Sequence, residues 1–134
     1  MRRGRPGHCH CERVLIVVCP GQGSQSPGFL SPWLELPEFE ERLSWLSAVA
    51  AVDLVAHGTT SDAETIRDTA VAQPLLVAAG LLTALQLFPH PADAFPFIGV
   101  AAGHSVGAAS ARRRARCGSA TYHVLAATQR CAAA

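Results

Sequence analysis

Phe97-Ile98-Gly99-Val100-Ala101-Ala102-Gly103-His104-Ser105-Val106-Gly107 is the stretch that decides the fold. Its first six residues are a short, dense apolar run and predict a buried strand. The last five spell Gly-x-Ser-x-Gly, the pattern of a nucleophile elbow. There a strand turns sharply into a helix, and the serine takes a strained backbone. Neighbours without bulky side chains let the chain bend and leave Oγ in the open. A serine presented in this way attacks acyl groups, provided a base removes its proton and backbone N–H groups hold the oxyanion.

Far upstream, Val14-Leu15-Ile16-Val17-Val18-Cys19 is a second apolar run, rich in β-branched residues. It predicts a central strand buried on both faces. The run ends in Pro20-Gly21-Gln22-Gly23-Ser24-Gln25, a loop with exposed N–H groups and two side-chain amides. The loop lacks the Gly-Lys-Ser/Thr ending of a phosphate-binding loop, and Gly21-x-Gly23 is not followed by glycine at the dinucleotide-binding spacing. It reads as an oxyanion or substrate loop, with an ordinary strand-to-helix turn as the plain alternative.

The segment between the two strands reads as helical. Ser31 as N-cap with Pro32 at the first helical position predicts a short helix before Pro37. Phe39, Arg42, Leu43, Trp45 and Leu46 have helical spacing and predict a helix from about Glu38 to Ala51. Trp33 and Trp45 are read as core residues rather than ligand platforms. Thr60 or Ser61 caps a turn at Asp62-Ala63-Glu64, with Ile66 and Val71 facing inward. From Gln73-Pro74 to Phe88 runs an apolar helix, with about fifteen residues too short to span a membrane and so read as buried. Pro89-His90-Pro91 ends it, and His90 is read as a solvated loop residue. Strand, loop, helices, buried helix, strand, elbow is the order of an α/β fold with its two strands parallel.

Composition divides the 134 residues into three pieces within one domain. The formal charge is only +1, which points to neither a nucleic-acid nor a membrane partner. From Val14 to Gly107, however, nine acids face two arginines, Arg42 and Arg67, while the flanks hold nine arginines and one acid, Glu12. Residues 1–12 read as a disordered leader: Pro and Gly break the amphipathic helix that a mitochondrial presequence needs. The five cysteines are Cys9, Cys11, Cys19, Cys117 and Cys131. An odd number without a signal peptide suggests a reducing cytoplasm, with Cys19 acting as a small hydrophobe in its strand. His8-Cys9-His10-Cys11 lacks the second ligand pair that a zinc site would offer, so no metal is expected.

The loop Pro20-Gly21-Gln22-Gly23-Ser24-Gln25, the helix opening Ala72-Gln73-Pro74 and the elbow Gly103-His104-Ser105-Val106-Gly107 occur together in one order. In these motifs and their spacing, residues 13–107 resemble the first third of malonyl-CoA:acyl carrier protein transacylases, actinobacterial members in particular. The resemblance implies an α/β acyltransferase core with a parallel sheet, here incomplete because the family's small ferredoxin-like subdomain is missing. It implies ping-pong transfer of malonyl from coenzyme A to acyl carrier protein through a serine ester in fatty-acid biosynthesis, in the cytoplasm, without a cofactor. Carried over by position, Ser105 matches the nucleophile, and the backbone N–H groups of Gln22 and Val106 match the oxyanion hole. His104 matches the elbow histidine, an active-site neighbour that a tight turn points away from Ser105 and that is not the base.

The likeness stops at residue 108. Family members carry glutamate where this chain has Ala108. Arg130 falls near the spacing of the arginine that binds the malonyl carboxylate, but Cys131 follows it where the family has glycine. The family's catalytic histidine has no counterpart within 134 residues, so this chain is expected to be inactive alone. Residues 108–134 form a basic tail rich in Ala, Arg, Cys and Ser, the letters that out-of-frame GC-rich codons give. Resequencing the DNA after the Gly107 codon tests that origin. Arg112-Arg113-Arg114-Ala115-Arg116 reads as a solvated charge run rather than a nucleic-acid site. Two alternatives remain. One is another serine acyl enzyme, a polyketide-synthase acyltransferase or an esterase, although only His123 and no acid follow Ser105. The other is a non-enzymatic truncated polypeptide.

Overall fold

The computed structural model describes residues 15–94, 97–108, 110 and 123–127. Strand β1 (Leu15–Cys19) runs parallel to β2 (Ile98–His104), and β3 (His123–Ala127) lies parallel on the other side of β2. The expected parallel pairing of the two apolar runs is present, in the register Ile16 with Val100 through Cys19 with Gly103. An irregularity between Leu15 and Ile16 shifts the register at the start of β1. β3 arises within the basic tail, where the sequence suggested no strand. The proposed leader, the polyarginine run and Arg130 lie outside the described residues.

Helices α1 (Phe39–Ala50), α2 (Leu54–Thr59) and α3 (Thr69–Leu87) fill the connection between β1 and β2. Their shared core gathers Leu30, Phe39, Leu43, Leu54, Ile66, Leu75, Ala78, Ala79 and Leu82. Phe39 and Leu43 are one turn apart and fully buried, as their spacing predicts. Truncating Phe39 to Ala removes about 3–5 kcal/mol of packing. Ser47 joins the first two helices: its Oγ donates to Leu43 O at 3.0 Å and accepts from Leu54 N–H at 3.0 Å. The six-residue α2, held by the Asp53 cap on Ala56 N–H, has no apolar period and was not legible in the sequence.

Several sequence expectations change. α3 begins at Thr69, five residues before Pro74, because the Asp68 carboxylate accepts the Ala70 N–H at 2.8 Å and caps the helix there. Pro74 then lies inside the helix. Its missing N–H is tolerated where Ala72, Leu75 and Leu76 pack into the protein. At 19 residues α3 is long and apolar enough to cross a membrane by length and composition, contrary to the expected fifteen. Its Leu75, Ala78, Ala79 and Leu82 face is committed to the helical core. Ser31 is not a cap: a 3-10 turn over Ser31–Trp33 starts from Leu30, with no side-chain cap bond. Trp45 is 66% exposed rather than core, while Trp33 is half-buried and stacks on Phe39 with ring centroids 5.8 Å apart. Asp62, not Thr60 or Ser61, accepts the Thr65 N–H at 2.8 Å and starts the turn that buries Ile66.

The largest correction concerns β1. It was expected to be buried on both faces, but Ile16 is 61% and Val18 70% exposed. Only the alternate side chains Val17 and Cys19 turn inward, against Ala101. Period-two geometry sends Ile16 and Val18 to the opposite face of the sheet, which no described helix covers.

Candidate active site

Parallel strands bring the loops at their C-terminal ends to one edge of the sheet. In α/β sheets that edge is where ligands bind. Cys19 pairs with Gly103, so the loop that leaves β1 and the turn that leaves β2 are neighbours by register. The backbone contacts are close enough to require glycine. A Cβ on Gly21 would stand 2.6 Å from His104 Nδ1, 2.8 Å from His104 O and 3.3 Å from Ser105 Cβ. A Cβ on Gly107 would overlap the carbonyl oxygens of Cys19 and Pro20, and one on Gly103 would overlap the Gly107 carbonyl.

Between those two glycines the chain turns at Ser105-Val106 and enters helical backbone at Gly107. Ser105 has φ +52°, one of three non-glycine residues with positive φ among those described. An L-residue pays roughly 1–2 kcal/mol there, and such strain persists where the surrounding structure fixes the turn. The Ala108 N–H donating to Ser105 O at 3.0 Å closes it. Ser105 and His104 are exposed, and Val106 is half-buried. Ser105 Oγ makes no hydrogen bond among the described residues, to His104 or to any other side chain.

The first loop forms a tight turn of its own. Ser24 N–H and Oγ both donate to Gly21 O, at 3.3 and 2.8 Å. Gly23 at the third position supplies φ +100°, the conformation that a type II turn reserves for glycine. Gln22 stands at the second position. Neither its N–H nor that of Val106 donates a hydrogen bond among the described residues.

The two loop amides both hydrogen-bond to the protein, a feature the sequence only hinted at by their presence. Gln22 Nε2 donates to Arg67 O at 3.1 Å and to Thr69 Oγ1 at 3.2 Å. Gln25 Nε2 donates to Ile66 O at 2.8 Å, and its Oε1 accepts the Gly23 N–H at 2.8 Å. The segment they grip is itself held by Asp62. Hydrogen bonds from the Thr65 N–H and hydroxyl keep the Asp62 carboxyl below its ordinary value. No three His, Cys, Asp or Glu side chains gather as a metal site among the described residues.

The register also locates His123. It pairs with Val100, whereas Ala127 pairs with His104. Four residues of strand, about 13 Å at 3.3 Å each, separate His123 from the sheet edge that carries Ser105. Carboxylate binding by Arg130 lies outside the described residues.

No protein-family model matches the chain. Among curated proteins it is similar to the malonyl CoA-acyl carrier protein transacylase of Mycobacterium tuberculosis, 47% identical over 94 residues, 70% of this chain and 31% of that protein. It is similar to the Mycolicibacterium smegmatis transacylase too, 50% identical over 78 residues, 58% of this chain and 26% of that protein. Among solved structures, the M. tuberculosis enzyme superposes with a TM-score of 0.67 at 46% identity, over 75% of this chain and 33% of the other. The Xanthomonas oryzae transacylase gives 0.64 at 35% identity, over 78% and 32%. The chain thus spans about a third of the length of the relatives it matches. In sequence and in fold, it corresponds to part of a malonyl-CoA:acyl carrier protein transacylase.

Proposed function

We propose that residues 13–107 carry the serine half of an acyl-transfer site, and that the acyl group is malonyl. Ser105 Oγ gives up its hydroxyl proton to water or hydroxide and attacks the thioester carbonyl of malonyl-CoA. The carbonyl π electrons move onto oxygen, and the N–H groups of Gln22 and Val106 receive that oxyanion. Collapse breaks the carbon–sulfur bond, the coenzyme A thiolate takes up a proton, and malonyl remains as a serine ester. The phosphopantetheine thiol of an acyl carrier protein then attacks the ester by the same route in reverse and frees Ser105. One neighbour in fold is a malonyl-transacylase in complex with a type II polyketide synthase acyl carrier protein, at TM-score 0.61 and 31% identity.

The observation that carries this reading is the left-handed Ser105 between two glycines that only backbone can approach, with the Gly21 loop laid against it. The strained turn at the C-terminal edge of a parallel strand is the form of a nucleophile elbow. Among the described residues no base reaches Ser105 Oγ, and loss of a triad partner typically costs a factor of about 10⁴ or more. The chain is therefore expected to acylate slowly and not to turn over at an enzyme's rate. A self-contained esterase needs a base at Ser105, and the register of His123, at the far end of β3, counts against it.

The test is intact-mass measurement after incubation with malonyl-CoA, beside a nitrophenyl ester. One malonyl adduct, mapped to Ser105 and lost in Ser105→Ala, supports the proposal. An adduct elsewhere, or ester turnover without malonyl capture, overturns it.

A further inference from the structure

We propose that Gln25 is a positioning residue for this acyl transfer: it fixes the Gln22 N–H beside Ser105 by tying the first loop to the segment that opens α3. The inference rests on the acyl-transfer reading above. It starts from an imbalance in how the loop is held. On one side, Gly21 merely abuts His104 and Ser105, in a contact without a hydrogen bond. Beyond the ladder that ends at Cys19 and Gly103, no hydrogen bond among the described residues crosses from the Gly21–Gln25 loop to the turn at Ser105. On the other side, three side-chain bonds cross to residues more than forty positions away: Gln25 Nε2 to Ile66 O, and Gln22 Nε2 to Arg67 O and to Thr69 Oγ1.

Of the two amides, Gln25 has the controlling geometry. Its donor end reaches the carbonyl of Ile66, a residue fully buried in the helical core. Its acceptor end holds Gly23 N–H, in the residue directly after Gln22. One planar amide thus links the helical core to the turn that presents the Gln22 N–H. Gln25 is half-buried, whereas Gln22 is exposed, so solvent competes less for the Gln25 bonds. An oxyanion donor must stand within about 0.5 Å of its productive place, and misplacement by about 1 Å can cost a factor of 10². Packing of a glycine against the elbow cannot supply that tolerance. Two bonds of 2.8 Å through one side chain can.

The experiment compares the wild-type chain with Gln25→Met, which keeps the shape and loses both bonds, and Gln25→Glu, which keeps the acceptor and loses the donor. Ser105 acylation by malonyl-CoA is followed at alkaline pH, where hydroxide takes the serine proton. A positioning role lowers the maximal acylation rate at least 10-fold in Q25M and leaves the half-saturating thioester concentration within about 2-fold. A purely structural role moves neither once the fraction folded is matched. In parallel, the nuclear Overhauser contact between Gly21 Hα and the Ser105 β-protons should weaken in Q25M and, to a smaller degree, in Q25E. Wild-type acylation rate together with an undiminished contact in either folded variant overturns the proposal. If the wild-type chain takes up no malonyl at all, the acyl-transfer reading fails. The Gly21–Ser105 contact then decides by itself whether Gln25 sets the loop. If Q25M does not fold, Q25E carries both measurements.

Discussion

Gly107 sets two physical effects against each other, and their sum predicts a sign. Gly107 opens the helix after the elbow, where replacing glycine with alanine normally favours the helix by up to about 1 kcal/mol. In this protein the added Cβ would overlap the carbonyl oxygens of Cys19 and Pro20. Those atoms are backbone at the end of β1, held in register with Gly103, and cannot swing aside as a side chain could. Forcing a methyl into a filled site costs about 1–3 kcal/mol, and a backbone obstacle belongs at the upper end. Gly107→Ala is therefore expected to lose about 2 kcal/mol net of the helical gain. Gly80 is the control. It lies within α3, and its added Cβ would meet Ser110 Oγ at 3.4 Å and Ser110 Cβ at 3.6 Å, ordinary contact distances. Gly80→Ala should gain about 0.5–1 kcal/mol. In urea, with a slope of about 1–2 kcal/mol/M for a domain of this size, Gly107→Ala lowers the midpoint by about 1 M or more. Gly80→Ala raises it by about 0.5 M. Tryptophan fluorescence from Trp33 and Trp45 follows both transitions. A Gly107→Ala midpoint at or above wild type would refute the close approach of the elbow helix to β1, and with it the joined site.

Three further expectations follow from particular contacts. Ser105→Gly relieves a left-handed backbone worth about 1 kcal/mol, so it should raise the urea midpoint while abolishing malonyl uptake; a lower midpoint would mean that the turn is unstrained. The Asp62 carboxyl has a folded pKa below its ordinary 3.8. Its contribution is thus present above that unfolded value and is lost as pH falls through the lower folded one. Asp62→Asn should accordingly cost stability near neutrality and cost nothing in strong acid, and a difference that does not vary with pH would contradict this. The exposed β1 face should drive self-association, so Ile16→Thr with Val18→Thr should lower the sedimentation coefficient at high concentration. An unchanged distribution would show that this face is not the sticky one.

Much of the fold was legible because it rests on local signals. Two apolar runs and the spacing of Phe39 and Leu43 are properties of neighbouring residues, and β1, β2 and α1 came out close to their expected bounds. The signals that failed were those in which one feature masked another. Pro74 looked like a helix start, yet an aspartate cap at Asp68 lies six residues earlier and tertiary burial carries the helix through the proline. Trp45 looked like core by type, but its place on α1 faces away from the helices that pack there.

The sequence by itself determined which residue could be the nucleophile and which loop could face it, since both are short motifs whose chemistry is written in their own letters. Only the tertiary structure decided that the two meet. Parallel pairing of Cys19 with Gly103 puts both loops on one sheet edge, and glycines at positions 21, 103 and 107 let backbone approach backbone. It also decided that His123 stands at the other end of β3, and that Gln22 and Gln25 bind the opening of α3. Register and these hydrogen bonds depend on residues from 23 to 84 positions apart. No local pattern encodes them, because their energy exists only once the intervening helices have folded back on the sheet.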